Sequence, residues 1–149
     1  MLFRSPLITE YAQGTDPANS LGPYWQQPGR GILEGHLLDV PEPQNVLGNG
    51  TLSNLHRVYY TGDHYPELPS AQLPIILRKR MTWLNVHEYL RTWSSLHTFQ
   101  EKFPDDVKRE DGDIATRFWK ALMKGAGAGS DTEQVDIEWP LALILAKKV

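Results

Sequence analysis

The sequence predicts a single mixed α/β domain in which two or three helices pack against a few strands. Residues 82–99 and the residues after Asp113 carry the three-and-four spacing of apolar positions that is typical of helices. Residues 55–61 and 141–146 are rich in β-branched, aromatic and aliphatic side chains, which favours strands. The chain has 149 residues, which is enough for one domain with one hydrophobic core.

The strongest helical pattern is TWLNVHEYLRTWSSLHTF, residues 82–99. Thr82 is a suitable N-cap residue, and Pro104 prevents the helix from continuing. One face of this helix would hold the residues spaced three or four apart, which are Trp83, Val86, Leu90, Trp93 and His97. A second helix is predicted after the N-cap residue Asp113, and its core-facing residues would be Ile114, Phe118 and Leu122.

The two ends of the chain have contrasting patterns. Residues 12–28 contain many turn formers and are predicted to be loop. Pro28 suits the first turn of a short helix, one face of which would carry Ile32, Leu33, His36 and Leu37. The closing residues 141–146 are apolar at every position, so they predict a strand buried on both faces, with Pro140 near its start.

Composition excludes several classes of function. The formal net charge is -3 and no long basic run occurs, so nucleic acid is not the expected partner. Cysteine is absent, which excludes disulfides, thiol catalysis and cysteine-type zinc sites. The histidines lack metal-ligand spacing: HEYL is not a zinc helix, because Arg91 occupies the position of its second histidine. For this reason we expect no metal. No segment has the apolar length of a membrane span or signal peptide, so we expect a cytoplasmic protein.

The glycine-rich stretch GAGAG, residues 125–129, resembles a cofactor loop at first sight. A loop that holds a phosphate or a cofactor normally follows a strand and opens a helix, whose free N–H groups then point at the ligand. Here the stretch follows a predicted helix and precedes a predicted strand. It therefore indicates a helix end, with Gly125 in the left-handed C-cap conformation, followed by a linker.

Three stretches together carry a family resemblance: GPYWQQPGRGIL at residues 22–33, YLRTWSSLHTF at residues 89–99 with its lead-in LRKRMTW, and the closing FWKALMKGAGA…VDIEWPLALILAKK. In this order they resemble the C-terminal half of fungal class I methyltransferases that depend on S-adenosylmethionine (SAM), in particular the trans-aconitate methyltransferase group. The resemblance runs from about Tyr11 to the end of the chain, and in that family the fold is an open, mostly parallel seven-stranded sheet flanked by helices.

The resemblance implies an incomplete Rossmann-like methyltransferase fold. The family's SAM site belongs to the N-terminal half, and this chain would begin just after the fifth strand, so residues 1–149 would form one acceptor and lid region. No cofactor is expected for this chain alone. The missing half would leave residues 139–146 and the helix of residues 82–99 partly uncovered, which predicts a protein partner or a homo-oligomer.

The same resemblance implies a set of substrate-binding residues. In the first motif they are Tyr24, Trp25 and Arg30, and in the second they are Tyr89, Arg91, Trp93, Ser94 and His97. Arginine suits carboxylates and the aromatic residues suit pocket walls, so a small acidic metabolite is one expected acceptor. Arg91 and Ser94 lie three residues apart and would share a helix face. No catalytic residue is identified.

Each of these residues also has a structural interpretation. Trp83 and Trp93 have the spacing of core residues. His97 would be a hydrogen-bonded core histidine, and Arg91 would pair with Glu88 or Asp105.

Three functions therefore remain open from the sequence. The first is a truncated methyltransferase-like protein that keeps acceptor-side elements and is inactive alone. The second is a SAM-independent cyclase or isomerase of fungal secondary metabolism, with His97, Arg91 or Tyr89 as acid, base or anion clamp. The third is a non-catalytic assembly subunit that pairs through its exposed apolar strand.

Overall fold

The computed structural model describes residues 8–48 and 51–149, and shows a mixed α/β chain with small sheets. The helices are α1 (Gly29–Glu34), α2 (Pro43–Leu47), α3 (Trp83–Leu90), α4 (Ser94–Lys102) and α5 (Ile114–Ala126). The strands are β1 (Leu52–Tyr60), β2 (Leu77–Thr82), β3 (Gln134–Trp139) and β4 (Leu141–Lys148). The predicted mixed α/β class is confirmed at this level.

The chain divides into two compact units. Unit 1 comprises residues 1–26 and 79–137, and unit 2 comprises residues 27–78 and 138–149. Unit 1 holds α3, α4 and α5, while unit 2 holds α1, α2, β1 and β4. Strands β2 and β3 pair with each other, and each of them runs across the boundary between the units.

Unit 1 is built around a cluster of fully buried side chains, which are Leu21, Leu96, Phe99, Ile114 and Ala115. Helices α3 and α5 pack together, and the indole Nε1 of Trp119 donates a 2.7 Å hydrogen bond to the carbonyl of Trp83. Phe118 is fully buried and stacks on Tyr11 with the ring centroids 5.3 Å apart. The predicted core positions of α5, Ile114, Phe118 and Leu122, are confirmed.

The predicted helix over residues 82–99 is wrong in one respect, because the structure contains two helices there. Thr82 does cap α3, and its hydroxyl accepts from the Asn85 backbone N–H. The helix then ends at a turn, where the Thr92 hydroxyl donates to the carbonyl of Tyr89 at 2.7 Å. Trp93 is extended, with ψ 130, and α4 begins at the next residue. A threonine side chain that bonds a carbonyl three residues back competes with helix continuation.

The break changes which residues face the core. Trp83, Val86 and Leu90 are buried as predicted, but His97 is exposed because the turn shifts the helical phase. The expected partial exposure of this region's apolar face is not found at these core positions, although Leu84 and Tyr89 of α3 are exposed.

The charged segment DDVKREDGD, residues 105–113, has the composition of a solvated loop, but two of its aspartates are buried in the structure. Asp106 is buried, accepts from the backbone N–H of Ile114 at 2.7 Å and pairs with Arg117 at 2.9 Å. Asp113 caps α5 as predicted, because its carboxylate accepts from the Thr116 backbone N–H at 2.9 Å. Two aspartates therefore satisfy N–H groups in the first turn of α5, where helix N–H groups otherwise lack partners.

The GAGAG stretch is a helix end, as predicted, but the helix ends two residues later than expected. Helix α5 continues through Gly125 to Ala126, and Gly127 is the left-handed C-cap with φ 70. The N–H of Ala128 bonds back to the carbonyl of Met123 at 3.0 Å. This arrangement closes the carbonyl end of the helix, and the next regular element is the strand β3.

Unit 2 contains an antiparallel ladder between β1 and β4. Its register pairs Tyr60 with Leu141, Val58 with Leu143, and His56 with Leu145. A bulge interrupts β1 between Ser53 and His56. The strand predicted at residues 55–61 is thus confirmed and begins three residues earlier.

Strand β4 is confirmed as a strand, but the expected burial of both its faces is wrong. Leu143 is 37% exposed and Leu145 is 48% exposed, and none of its residues is buried. The two-stranded sheet offers β4 one neighbour, so its apolar side chains lack cover. This agrees with the expectation, stated from the resemblance, that residues 139–146 would be uncovered.

The short helix predicted after Pro28 is present as α1, but it ends at Glu34. His36 and Leu37 follow it in the left-handed conformation, with φ 53 and 61, so they do not extend its face. The guanidinium of Arg57 fastens this turn by donating to the carbonyls of Leu37 and Val40 at 2.6 and 2.5 Å. The side chain that stabilises the turn is therefore supplied by β1.

Candidate acceptor pocket

The structure brings the two predicted binding motifs together in unit 1. A pocket of about 380 Å³ lies between the turn that follows residue 21 and the first turns of α4, and its lining residues are Pro23, Tyr24, Trp25, Gln26, Ser94 and Thr98. Three of the eight predicted substrate-binding residues, Tyr24, Trp25 and Ser94, therefore line one cavity. Its walls are aromatic, amide and hydroxyl groups, which can pack against a flat ligand and bond its polar edge.

A chain of aromatic rings extends from the pocket wall into the unit. Trp25 and Trp93 lie 5.2 Å apart between centroids, and Tyr89 meets Trp93 edge-on at 5.9 Å. The indole N–H of Trp25 donates to the carbonyl of Ala12 at 2.7 Å, which fixes the orientation of the ring. Tyr89 and Trp93 thus support Trp25, and Trp93 also contacts the core residue Phe118.

Tyr24 is held as a hydrogen-bond donor. Its hydroxyl donates to the carbonyl of Pro17 at 2.6 Å, and its ring meets Phe99 edge-on at 5.4 Å. Burial raises the pKa of the Tyr24 phenol, and the negative charge of Asp16 adds to the shift. The ammonium group of Lys102 lies 5.7 Å from the ring centroid, where it forms a cation–π contact. Tyr24 therefore shapes the pocket as a neutral ring rather than as a base.

Arg91 does not share a face with Ser94, because the turn between α3 and α4 separates them. Its guanidinium donates to the Asp113 carboxylate at 2.9 Å, rather than to the expected Glu88 or Asp105. Asp113 is buried and also accepts from the side chain of Gln100 at 3.3 Å. Arg91 thus joins the end of α3 to the start of α5.

The other two predicted residues do not line this pocket. Arg30 belongs to α1 in unit 2 and pairs with Glu34 one turn further along the helix, at 2.7 Å. His97 is exposed on α4. The pocket is therefore built from aromatic and hydroxyl side chains, and the two arginines expected to bind a carboxylate are paired with carboxylates of the chain itself.

Sequence reasoning missed a polar relay between α3 and α5. The Thr116 hydroxyl donates to the Asp113 carboxylate at 2.6 Å, so its oxygen is left to accept from the Nε2 of His87 at 3.2 Å. His87 is thereby placed in the tautomer that carries its proton on Nε2. Its ring also stacks on Trp119, with centroids 4.8 Å apart. The sequence signal was the capping residue Asp113 with threonine three positions later.

The relay has a defined electrostatic character. Burial and the charge of Arg91 lower the pKa of His87, and they outweigh the carboxylates of Asp113 and Glu88. Burial works to raise the pKa of the Asp113 carboxyl, but hydrogen bonds from Thr116 and the charge of Arg91 outweigh it, so the pKa lies below its usual value. The arrangement favours a neutral imidazole beside an ionised carboxylate.

No protein-family model matches this sequence. Within residues 8–48 and 51–149, no helix combines the length and apolar character that crossing a membrane requires. The same residues contain no group of three or more histidine, aspartate or glutamate side chains placed to hold a metal ion.

Proposed function

We propose that this chain is the acceptor-side region of a protein related to class I SAM-dependent methyltransferases. It holds a small metabolite in the pocket of unit 1 and does not bind SAM by itself. The pocket carries this proposal, because Tyr24 and Trp25 of the first motif meet Ser94 of the second, about 70 residues further along the chain. The incomplete Rossmann-like fold and a cytoplasmic location are parts of the same proposal.

The chemistry asks little of the side chains at this pocket. SAM supplies an activated methyl group, and the protein contributes mainly position and orientation. The aromatic wall fixed by Trp25 and the hydroxyl groups of Ser94 and Thr98 suit the task of orienting an acceptor. Carboxylate recognition would need a cation, and the ammonium of Lys102 lies 5.7 Å from the ring centroid of the pocket residue Tyr24.

The glycine-rich stretch does not fit a SAM site. Its glycines close the carbonyl end of α5, where N–H groups of Gly127 and Ala128 bond back to the helix. A ligand with a carboxylate would meet the negative end of the helix dipole there. For this reason no step of methyl transfer is assigned to these residues, and the donor would be bound by another polypeptide segment.

The first test is a calorimetric titration of the folded chain with SAM. We expect no binding, and tight binding would overturn the proposed absence of a donor site. The acceptor pocket is tested separately through tryptophan fluorescence with trans-aconitate as the probe. Binding should quench the fluorescence of the wild-type chain and be lost in Ser94→Ala and Trp25→Phe, whereas Trp139→Phe in unit 2 should retain it.

A second candidate function is that of a non-catalytic assembly subunit. The exposed apolar residues of β4 favour it, because the described sheet leaves this strand with one neighbour.

A further inference from the structure

The two strands of the β1–β4 sheet differ at their outer edges. The outer edge of β1 is partly occupied, since Tyr59 forms a parallel bridge with Gln72 and accepts from the N–H of Leu73 at 2.8 Å. Within the described residues β4 has β1 as its one strand partner. The opposite edge of β4 is therefore a row of backbone N–H and carbonyl groups available to another strand.

The side chains of residues 141–146, the larger part of β4, do not protect that edge. Proteins usually protect an edge strand with charges, prolines or bulges, but residues 141–146 contain no charged residue and no proline. Leu143 and Leu145 are exposed on the face that also carries Val58 and Tyr60. A two-stranded sheet is also marginal by itself, and three or more strands are needed for independent stability.

We propose that β4 pairs antiparallel with β4 of a second copy of this chain, about a two-fold axis at Leu143. The pairing joins two β1–β4 sheets into one sheet of four strands, in the order β1, β4, β4, β1. This is an isologous interface, in which the same strand serves both copies and the assembly closes as a dimer. The proposal is independent of the acceptor pocket, because its residues belong to unit 2.

Charge selects the antiparallel direction. Strand β4 ends in Lys147 and Lys148, and the acidic residue Glu138 precedes its start. A parallel pair would place the lysines of one copy beside those of the other, which is unfavourable. An antiparallel pair places the lysines of each copy at the acidic end of the partner strand.

The register follows from the two-fold axis. Opposed residues in an antiparallel pair lie on the same face of the sheet. A two-fold axis through a residue therefore pairs odd-numbered residues with odd-numbered ones and even-numbered residues with even-numbered ones. Centring on Leu143 opposes Leu141 with Leu145, and brings the lysines at the end of β4 toward the start of the partner strand, which follows Glu138 of β3. The carboxylate of Glu138 lies 3.6 Å from the guanidinium of Arg78, so a lysine of the partner copy would add a second cation near this carboxylate.

Disulfide trapping tests both the partner and the register, because the natural chain contains no cysteine. Opposed residues of an antiparallel pair lie about 4.5–5.5 Å apart between Cα atoms, which is within reach of a disulfide. Leu143→Cys should form a reducible dimer under mild oxidation. Leu141→Cys and Leu145→Cys should each remain largely uncrosslinked alone but crosslink to each other when mixed. Leu33→Cys, exposed on α1, is the matched control and should remain uncrosslinked.

Light scattering after size-exclusion chromatography gives an independent measure. The wild-type chain should have the mass of two chains, and Leu143→Lys should shift to the mass of one chain, while Leu33→Lys remains a dimer. Circular dichroism and a thermal melt establish that each variant is folded.

Two results would overturn the proposal. One is a wild-type chain that stays monomeric at high concentration together with a Leu143→Cys variant that fails to crosslink, because β4 would then not pair with a second copy. The other is a dimer in which Leu33→Cys crosslinks as fast as Leu143→Cys, since the contact would then not be specific to β4.

Discussion

The two units of this chain differ in how they treat their apolar side chains. Among the described residues, thirteen of the sixteen buried hydrophobic side chains belong to unit 1. Ten of the thirteen exposed large hydrophobic side chains belong to unit 2. Unit 1 therefore has a closed core of its own, whereas unit 2 presents apolar surface that a partner could cover.

Each unit suits a different part of the proposed function. A pocket that binds a ligand needs walls held by packing, and Tyr24 in the wall of the unit 1 pocket packs on the core residue Phe99. An assembly surface needs accessible apolar groups, and β4 provides them in unit 2. Substitutions that affect one unit without the other therefore test this contrast.

The largest expected effect comes from emptying the core of unit 1. Phe118→Ala removes a fully buried ring that packs on Tyr11 and Trp93, and should lower the free energy of unfolding by about 3–5 kcal/mol. Urea denaturation followed by circular dichroism measures it. Leu33→Ala in unit 2, where the side chain is 66% exposed, should stay within about 0.5 kcal/mol of wild type. Equal losses in the two variants would contradict the contrast.

A smaller effect is expected from the buried aspartate of unit 1. Asp106→Asn weakens the ion pair with Arg117, whose side chain is 10% exposed, and should cost about 1.5–3 kcal/mol. Asp105→Asn is the adjacent control, since Asp105 pairs with Lys108 at the surface, where both side chains are largely exposed. If urea midpoints shifted equally in the two variants, the buried pair would have no special weight.

The unfolding free energy should depend on pH through one histidine in each unit, and this effect should be smaller still. Burial lowers the pKa of His87 in unit 1, with a contribution from Arg91, and burial also lowers the pKa of His36 in unit 2. The unfolded chain therefore takes up these protons first, and stability is lost as the pH falls from about 6.5 through the lowered native values.

Stability measured across this pH window separates the two histidines. His87→Gln should flatten the slope if the relay with Thr116 and Asp113 is intact, and His36→Gln should remove the remaining part. Lys120 also lowers the pKa of His87. Lys120→Gln should therefore slightly reduce the dependence of the unfolding free energy on pH. A slope unchanged in His87→Gln would contradict the assigned burial of that ring.

The local pattern predicted the elements of unit 1 well, because their apolar spacing and their caps act over a few residues. Thr82, Asp113 and the α5 core positions were all found from spacing and capping alone. The turn at Thr92 was missed because the apolar period continues across it. The helix ends where the Thr92 side chain bonds the carbonyl of Tyr89, and the spacing of apolar residues does not reveal such a bond.

The pocket was predicted less completely than the elements. Tyr24, Trp25 and Ser94 do meet, but the fate of Arg91 depended on Asp113, which lies 22 residues away in the sequence. Long-range ion pairs of this kind leave no periodic signal. The burial of β4 was also predicted incorrectly. Its composition predicted a buried strand, but burial depends on the neighbours that the fold supplies, and β4 has one.

The smallest expected effect concerns Ser95, which lies beside the pocket residue Ser94. Its side chain is fully buried, and its hydroxyl has no hydrogen-bond partner among the described residues. Burying an unpaired hydroxyl costs free energy, so Ser95→Ala should leave stability unchanged or raise it by about 1 kcal/mol. Tyr59→Phe is the equivalent change in unit 2, where the phenol is buried and likewise without a partner. If Ser95→Ala lost stability while Tyr59→Phe did not, the Ser95 hydroxyl would have to be bonded in solution, and the core of unit 1 would contain a polar contact of its own.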